Sequence, residues 1–261
     1  MARRGRRSLV AFLVVVVVLI GLLAVADRVA VHVAENRIAD QAVTEMSNRN
    51  ITSPSKPDVS IGGFPFLTQV LAGTYQKVTI DVDHPKNGKV TLDHLAITAD
   101  QVHAPLKTLT SHQGQVTSDR VQGTATLNWD TVRSLIDTTP LSQLPGLDAS
   151  KLNVTVKDNK INMSAPVAFL GFRLTLQSAG TLAVAKGEVR VQIEDVKLTT
   201  ANGGSAAVTP SIMNQYRDKL NVRIAVPQLP YALVVDKVQT SSSGVLVIAT
   251  ANNVVLAGAA Q

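Results

Sequence analysis

Five histidines are the side chains of this sequence best suited to bind a metal ion. Four of them lie within a short span, and a fold that gathered them could form a metal site. Their spacing matches no ligand motif, however, and the chain has no cysteine to assist them. We therefore expect neither a metal site nor a cofactor. The five are His32, His84, His94, His103 and His112.

Two pairs of carboxylates, Asp81 with Asp83 and Glu194 with Asp195, are the candidates for acid–base catalysis. The first pair alternates with apolar residues on the same side of a predicted strand as Lys77, so a solvated strand face explains it. The sequence contains no Gly-x-Ser-x-Gly elbow, His-Glu-x-x-His motif or phosphate loop. A glycosidase needs two carboxylates about 5–10 Å apart across a cleft, which the sequence leaves open. We expect that the protein is not an enzyme.

Aromatic and apolar residues concentrate at positions 61–75, although aromatic residues make up only 3% of the chain. Pro65 fixes its own φ and favours an extended Phe64, which predicts a stiff corner that presents the phenylalanines. One helical turn should follow and end at Gly73. The apolar residues at positions i, i+3 and i+4 of that turn are Leu67, Val70 and Leu71.

Two roles are open to this corner. Buried rings would close one end of the core, each removing apolar surface worth about 2–3 kcal/mol from water. Exposed rings would insert into a bilayer surface or frame the mouth of a pocket. We expect Phe66 to be buried, Phe64 and Leu67 to lie at the mouth, and a second apolar turn at residues 169–172 to share that rim. The predicted rim residues are Phe64, Pro65, Phe66, Leu67, Val70, Leu71, Tyr75, Phe169 and Phe172.

Two linked runs in this segment resemble the LmeA-like phospholipid-binding family of actinobacterial cell-envelope proteins. The resemblance extends from about residue 57 to the carboxyl terminus. It implies a fold similar to half of a tubular lipid-binding protein of the bactericidal/permeability-increasing type, a role in maturation of mannose-containing lipoglycans, and rim residues that contact phospholipid. The two runs are Gly63-Phe64-Pro65-Phe66-Leu67-Thr68-Gln69 and Gly73-x-Tyr75-x-x-Val78-x-Ile80.

The amino terminus predicts export or membrane anchoring. Four arginines at positions 3–7 precede residues 9–26, which are 18 uncharged residues, a length between a signal-peptide core and a spanning helix of about 20 residues. Arginines before an apolar run stay cytoplasmic, so the domain should lie on the outer, periplasmic face of the cytoplasmic membrane. Small residues at 24 and 26 fit a cleavage site, but an apolar helical stripe continues to Met46, and we favour an uncleaved anchor.

Net charge argues against a nucleic-acid partner. The formal charge is +6, but without the four amino-terminal arginines the chain has 21 Lys and Arg against 19 Asp and Glu. A balance of +2 gives little attraction for a phosphate backbone. The absence of cysteine excludes disulfides and is compatible with an exported bacterial protein.

We predict an α+β fold in which a long, curved antiparallel sheet wraps around helices, preceded by one transmembrane or signal segment. Apolar residues alternate with period two through most of residues 57–261. The alternation slips near residues 93–94, which predicts a β-bulge. Asp130 is the predicted cap of one short helix, and residues 209–219 form another.

The same patterns divide the chain into three parts. Residues 1–26 are the basic and apolar signal or anchor, residues 27–56 an amphipathic helix with a Pro/Ser linker, and residues 57–261 the lipid-binding β-rich domain. Several strands in that domain are apolar on both faces. Both faces can be covered by protein, or one can line an acyl-chain cavity; the residues alone favour the first, and the family resemblance favours the second.

We therefore expect an envelope phospholipid-binding protein that supports assembly of lipomannan and lipoarabinomannan. Its expected partners are phospholipid, the cytoplasmic membrane and envelope enzymes of lipoglycan synthesis. Polar candidates for head-group contact are Lys77, Gln69 and Arg173. The alternatives are a non-catalytic docking module for an envelope enzyme and, less favoured, an enzyme that acts on a mannolipid.

Overall fold

One unbroken helix, α1 (Arg3–Asn48), begins the computed structural model of the chain. From Phe12 to Val25 its large apolar side chains are exposed, and from Asp27 onwards one side of the helix is buried. Helix α1 is long and apolar enough to cross a membrane, judged by length and composition. It is therefore compatible with a membrane anchor or a signal segment. The structure describes residues 3–88, 90–111, 114–135, 144, 146–157, 160–169, 171–185, 187–200, 204, 224 and 230–258.

In the described part of the chain, three further helices and a series of antiparallel strands follow α1. The helices are α2 (Phe66–Ala72), α3 (Leu106–Ser111) and α4 (Trp129–Leu135). The strands are β1 (Ile51–Thr52), β2 (Asp58–Gly62), β3 (Thr74–Asp83), β4 (Lys86–Asn87), β5 (Val90–Thr91), β6 (His94–His103), β7 (Val116–Asn128), β8 (Asn153–Lys157), β9 (Lys160–Phe169), β10 (Phe172–Ala185), β11 (Glu188–Thr200), β12 (Val234–Thr240) and β13 (Gly244–Ala257). Short 3-10 turns lie at Ala149–Lys151 and Pro230–Ala232.

Within the described residues these strands form three sheets. A six-stranded sheet has the order β12-β13-β7-β6-β3-β2, and a four-stranded sheet has the order β11-β10-β9-β8. The strands β1, β4 and β5 make a small third sheet. All of the pairings are antiparallel, which confirms the predicted α+β class with long antiparallel strands.

The chain changes sheet where the sequence predicted a β-bulge. Strand β5 ends at Thr91 in the small sheet, and β6 begins at His94 in the six-stranded sheet. Between them the Asp93 N–H donates to the Thr126 carbonyl at 2.8 Å, and the Asp93 carbonyl accepts from the His84 N–H at 3.1 Å. The slip in alternation therefore marks a break between two strands, because the residues before and after it belong to different sheets.

One other local prediction needs adjustment. Asn128, rather than Asp130, caps α4, since its Oδ1 accepts from the Thr131 N–H at 2.9 Å. Strand β10 is continuous from Phe172 to Ala185, with a register shift between Ala179 and Gly180. The predicted helix over residues 209–219 falls outside the described residues.

Buried apolar side chains form two cores. The inter-sheet core lies between the four-stranded sheet and one end of the six-stranded sheet, with α4 against it. The helix-side core lies where α1 and α2 pack on the six-stranded sheet. The inter-sheet core comprises Leu127, Trp129, Val132, Leu144, Ile161, Met163, Val167, Leu174, Leu176, Val189, Val191, Ile193, Val196, Leu198, Ile224, Val235, Val245 and Ala249. The helix-side core comprises Val31, Phe66, Tyr75, Ala99, Val102, Ala104, Val121 and Val254.

Candidate functional site

The apolar corner at residues 63–73 has the local structure that the sequence predicts. Gly63 has φ +94°, the Phe64–Pro65 peptide is cis, and α2 follows for seven residues. Helix α2 ends at Gly73, which adopts the left-handed conformation with φ 68°. The corner is thus a tight turn followed by two turns of helix.

Apolar side chains of the corner separate into a buried and an exposed set. Phe66 and Tyr75 are buried in the helix-side core, with ring centroids 6.0 Å apart. Burial raises the pKa of the Tyr75 hydroxyl. Phe64 is 62% exposed and Leu71 is 83% exposed. Leu67 is also exposed. Phe66 is buried as expected, whereas a place at the mouth of a pocket for Phe64 and Leu67 stays a prediction.

An aspartate from α1 holds the corner in place. Pro65 occupies the N-cap position of α2 and offers no side-chain acceptor. Asp27 supplies the acceptor instead, because its Oδ1 accepts from the Leu67 N–H at 2.7 Å. Its side chain is only 3% exposed and also lies 3.5 Å from the guanidinium of Arg28. That guanidinium sits 4.9 Å from the centre of the Phe64 ring, a cation–π contact.

Further polar contacts fix the corner to the sheet. The Gln69 amide is buried, donates to the Gly62 carbonyl at 3.2 Å and accepts from the Gln76 N–H at 2.9 Å. Glu35 on α1 accepts from the Ile61 N–H at 2.9 Å. Because its amide already makes these two bonds to the backbone, Gln69 is a poor candidate for contact with a lipid head group. Of the other head-group candidates, Lys77 lies 3.9 Å from Asp100 and Arg173 is exposed.

The inward face of the six-stranded sheet carries an apolar strip between the two cores. Ile80 pairs with Ile97, and Ile97 pairs with Gly123 on the next strand. Leu95 pairs with Ala125 one row further along. These side chains are half-buried, and Ile80 and Leu95 belong to neither core. We name Ile80, Leu95, Ile97, Gly123 and Ala125 the inward strip.

Gly123 leaves the middle of the inward strip without a side chain. Among the described residues, a Cβ at Gly123 would meet only the tip of Leu233, at 3.4 Å. The opposite face of the same strands is polar, where Thr79 and Thr98 approach each other at 3.4 Å. The sheet therefore presents an apolar, partly open surface on one side and a hydrated surface on the other.

These features agree with the comparison of the chain with known protein families. The sequence profile of the family described as LmeA-like phospholipid-binding matches residues 25–250. The chain belongs to this family. A phospholipid-binding role follows from that membership and favours a non-catalytic protein. No curated protein and no solved structure matches the chain.

A groove that the sequence did not predict lies at the start of β12, beside the second half of β13. The groove has a volume of about 620 Å³ and is lined by both polar and apolar residues. Its walls depend on left-handed backbone at Tyr231, Ala232 and Asn253, of which only asparagine commonly adopts that conformation. The lining residues are Tyr231, Ala232, Val234, Asp236, Thr250, Ala251, Asn252, Asn253, Val254 and Val255.

The groove and the corner lie at the same end of the six-stranded sheet. Thr74 at the start of β3 pairs with His103, which pairs with Thr117. Thr117 in turn pairs with Val255 in the groove wall. Three strand spacings, roughly 14 Å, separate β3 from β13.

The second predicted aromatic turn belongs to a different sheet. Phe169 and Phe172 are register partners at the hairpin between β9 and β10, and Phe172 is 69% exposed. The opposite end of β10 leads to Gly187, where a Cβ would lie 2.9 Å from Val234 of β12. The two aromatic turns belong to different sheets. That they form a common rim stays a prediction.

Histidine and carboxylate side chains form surface pairs. His94 lies between Asp83 at 3.0 Å and Asp81 at 3.1 Å, and His103 lies 2.9 Å from Asp119. Among the described residues, which omit His112, no group of three or more His, Cys, Asp or Glu side chains could hold a metal ion. Asp81 and Asp83 thus lie beside His94 on a partly exposed strand face, in agreement with the solvated face that the sequence predicts.

The other carboxylate pair is also occupied by surface contacts. Lys160 lies 2.6 Å from Glu194, and Lys197 lies 2.8 Å from Asp195. The ammonium of Lys160 and the hydroxyl of Thr181 lower the pKa of Glu194, while Glu194 raises the pKa of Lys160. A carboxylate with a lowered pKa stays ionised and is a poor general acid at neutral pH.

Proposed function

We propose that this protein binds a phospholipid with its acyl chains on the inward strip, on the outer side of the cytoplasmic membrane. The observation that carries the proposal is the half-buried apolar surface between the two cores. Buried faces of antiparallel sheets are normally covered by packed side chains, so an apolar surface left partly open favours an apolar ligand. Membership of a phospholipid-binding family supports the same ligand.

The groove is a second surface that a phospholipid could contact. A phospholipid has a polar head and two apolar chains, and the groove wall includes both Asn252 and Asn253 and apolar residues such as Val254 and Val255. Amides and backbone groups in such a wall can contact a head group while the chains extend over apolar surface. The groove is a separate surface of the six-stranded sheet, because Val234 and Thr250 in its wall lie on the face opposite to the buried pair Val235 and Ala249.

The biological role that we propose is support of lipoglycan assembly in the cell envelope. In this role the protein presents or transfers phospholipid to envelope enzymes that build lipomannan and lipoarabinomannan, and it carries out no covalent chemistry itself. The LmeA-like resemblance of the corner motif motivates this part of the proposal. Loss of mature lipoglycan in a deletion strain, restored by the wild-type chain, is the expected outcome.

Native mass spectrometry of the full chain, released gently from detergent and then denatured, tests the binding proposal. We expect adducts with phospholipid masses that disappear on denaturation. A clean apo mass, unchanged after incubation with phospholipid, would contradict lipid binding and favour the docking-module alternative.

A matched pair of substitutions locates the lipid. Ala125→Phe places a ring over the inward strip, whereas Thr124→Phe places the same ring on the opposite face of β7. We expect Ala125→Phe to lose bound phospholipid and Thr124→Phe to retain it. Fluorescence of Trp129, the single tryptophan, reports whether each variant keeps its core. Equal lipid content in two folded variants would exclude the strip as the binding surface.

A further inference from the structure

Exposed apolar side chains outside α1 concentrate at the end of the six-stranded sheet that carries the corner. Phe64, Leu67 and Leu71 project from the corner itself. Leu106, which is 49% exposed, opens α3 three residues after β6 ends. The two segments adjoin, because the Ala104 N–H donates to the Gly73 carbonyl at 2.9 Å. We name Phe64, Leu67, Leu71 and Leu106 the apolar end.

Helix α1 runs along the sheet and leaves it at the apolar end. Lys56 contacts Asp40 at 2.8 Å, Glu35 contacts Ile61, and Asp27 contacts Leu67. The sequence order of these contacts gives the direction of the helix, from the far end of β2 toward the corner as the residue number falls. Residues before Asp27 therefore extend beyond the domain from the apolar end.

The length of the projecting segment sets where a bilayer would lie. Residues 9–26 carry no charge, and 18 helical residues span about 27 Å, close to the hydrocarbon thickness of about 30 Å. When this segment spans the bilayer, Asp27 and Arg28 lie at the head-group level. The first turn of α2 lies at that level too, since the Leu67 N–H is only 2.7 Å from the Asp27 carboxylate.

We infer that the apolar end is a bilayer-contacting surface, seated on the leaflet from which α1 emerges. Phe64, Leu67, Leu71 and Leu106 insert among the lipids, to a depth of about 5–10 Å as in other interfacial elements. Arg28, on the Phe64 ring, lies where lipid phosphates are found. Asp27 is the positioning residue, because its cap on α2 fixes the height of the corner relative to the spanning segment.

This surface does not depend on the identity of the bound lipid. It explains why large apolar side chains are exposed at one end of a domain whose outer sheet face is polar. It also puts the β12–β13 groove beside the membrane, since groove and corner share one row of strand pairs.

Depth-dependent quenching tests the inference in the full chain. The sequence has no cysteine, so Leu71→Cys provides one labelling site for an environment-sensitive fluorophore. The matched control is Ser242→Cys, an exposed position in the β12–β13 turn. That turn lies beside the Gly244–Asn128 pair at the far end of β7, roughly 40 Å along the sheet from the corner. Both proteins are reconstituted in phosphatidylcholine–phosphatidylglycerol vesicles.

We expect the label at position 71 to emit at shorter wavelength and to be quenched by lipids that carry a spin label just below the head group. The label at position 242 should emit as in water and resist quenching. Equal, water-like emission at both positions would overturn the inference. Phe64→Cys gives a second test at the apolar end, and Trp129 fluorescence confirms folding in every variant.

Substitution of Asp27 tests the positioning role. Asp27→Ala removes the cap on α2, whereas Asp27→Asn keeps an oxygen that can accept from the Leu67 N–H. In the Leu71→Cys background we expect Asp27→Ala to lose much of the quenching and Asp27→Asn to retain it. Unchanged quenching in Asp27→Ala would overturn the positioning role. Phospholipid content of the same samples, measured by native mass spectrometry, separates failure of this inference from failure of the proposed lipid binding.

Discussion

The helix-side core and the inter-sheet core differ in what joins their elements. In the first, buried polar side chains cross from one element to another, as Asp27 does to Leu67 and Gln69 does to Gln76. In the second, aliphatic side chains of two sheets interlock, and charged pairs such as Lys160 with Glu194 lie at the surface. Hydrogen bonds between elements occur there at the α4 end, where the Trp129 Nε1–H donates to the Ser241 carbonyl at 3.1 Å. Directional contacts thus contribute more to the helix-side core, and apolar area more to the inter-sheet core.

This difference suggests a division of labour. Directional hydrogen bonds fix the angle and height at which the helix meets the sheet, which a membrane-seated surface requires. Aliphatic packing fixes the distance between two sheets mainly through the apolar area that it buries, with less demand on direction. The comparison yields four predictions for the full chain in detergent micelles, with Trp129 fluorescence as the measure of unfolding.

Truncation in the inter-sheet core should have the largest effect. Leu198 is 2% exposed, and Leu198→Ala should lower the free energy of unfolding by about 2–5 kcal/mol, as for other buried leucines. Leu71→Ala removes the same atoms from an exposed side chain and should leave the free energy of unfolding nearly unchanged. A similar loss in both variants would mean that Leu71 is packed and would remove the distinction between core and surface.

Substitution of Gly73 should cause the next largest loss in the free energy of unfolding, because Gly73 forms the left-handed end of α2. Gly73→Ala places a Cβ 2.9 Å from the Cα of Pro105, in addition to the cost of about 1–2 kcal/mol for a left-handed residue that is not glycine. Gly88→Ala has a similar positive φ but no atom within 4 Å of its Cβ. Denaturant titration should show a greater loss for Gly73→Ala, and the reverse order would contradict the corner geometry.

Removal of the Asp27 carboxylate should lower the free energy of unfolding by about 1–2 kcal/mol, because a buried N–H loses its partner and α2 its cap. Asp27→Asn should recover most of this loss. The comparison of the two variants by thermal unfolding separates the hydrogen bond from the charge. Equal losses would mean that charge, rather than the cap, stabilises the corner.

The sequence alone predicted the corner because its signals are local. A proline, flanking glycines and apolar spacing within one turn determine α2 and its end at Gly73. The cap by Asp27 could not be predicted in the same way, since 40 residues separate it from Leu67. Asp27 stood in the sequence simply as the first acid after an apolar run. Gln69 was likewise predicted to contact a lipid head group. In the fold its side-chain amide is instead hydrogen-bonded to the backbone of Gly62 and Gln76.

Non-local pairing also decides the rest of the site. Period-two alternation identified apolar faces on β3, β6 and β7, but alternation does not tell which strands become neighbours. The inward strip exists because Ile97 and Gly123 pair across two strands. The groove at β12 and β13 depends on left-handed backbone at Tyr231 and Ala232, residue types that give no such signal in sequence.

The surface pair of Lys160 and Glu194 should have the smallest effect, and that effect should depend on pH. The pKa of Glu194 is lowered in the folded chain by Lys160 and Thr181. Its contribution to stability is therefore fully present above the ordinary glutamate pKa of the unfolded chain and is lost as the pH falls through the lower folded value. Both side chains are largely exposed, so solvent and salt weaken the contribution.

Glu194→Gln should accordingly differ from the wild type only slightly in thermal unfolding at neutral pH, and the difference should vanish in acid. Added salt should shrink the difference at neutral pH, because it screens exposed charges. The Asp27→Ala effect should respond less to salt, since it comes from a buried hydrogen bond. If the Glu194 effect were large and independent of salt, polar pairs would contribute to the inter-sheet core as they do to the helix-side core, and the two cores would not differ in kind.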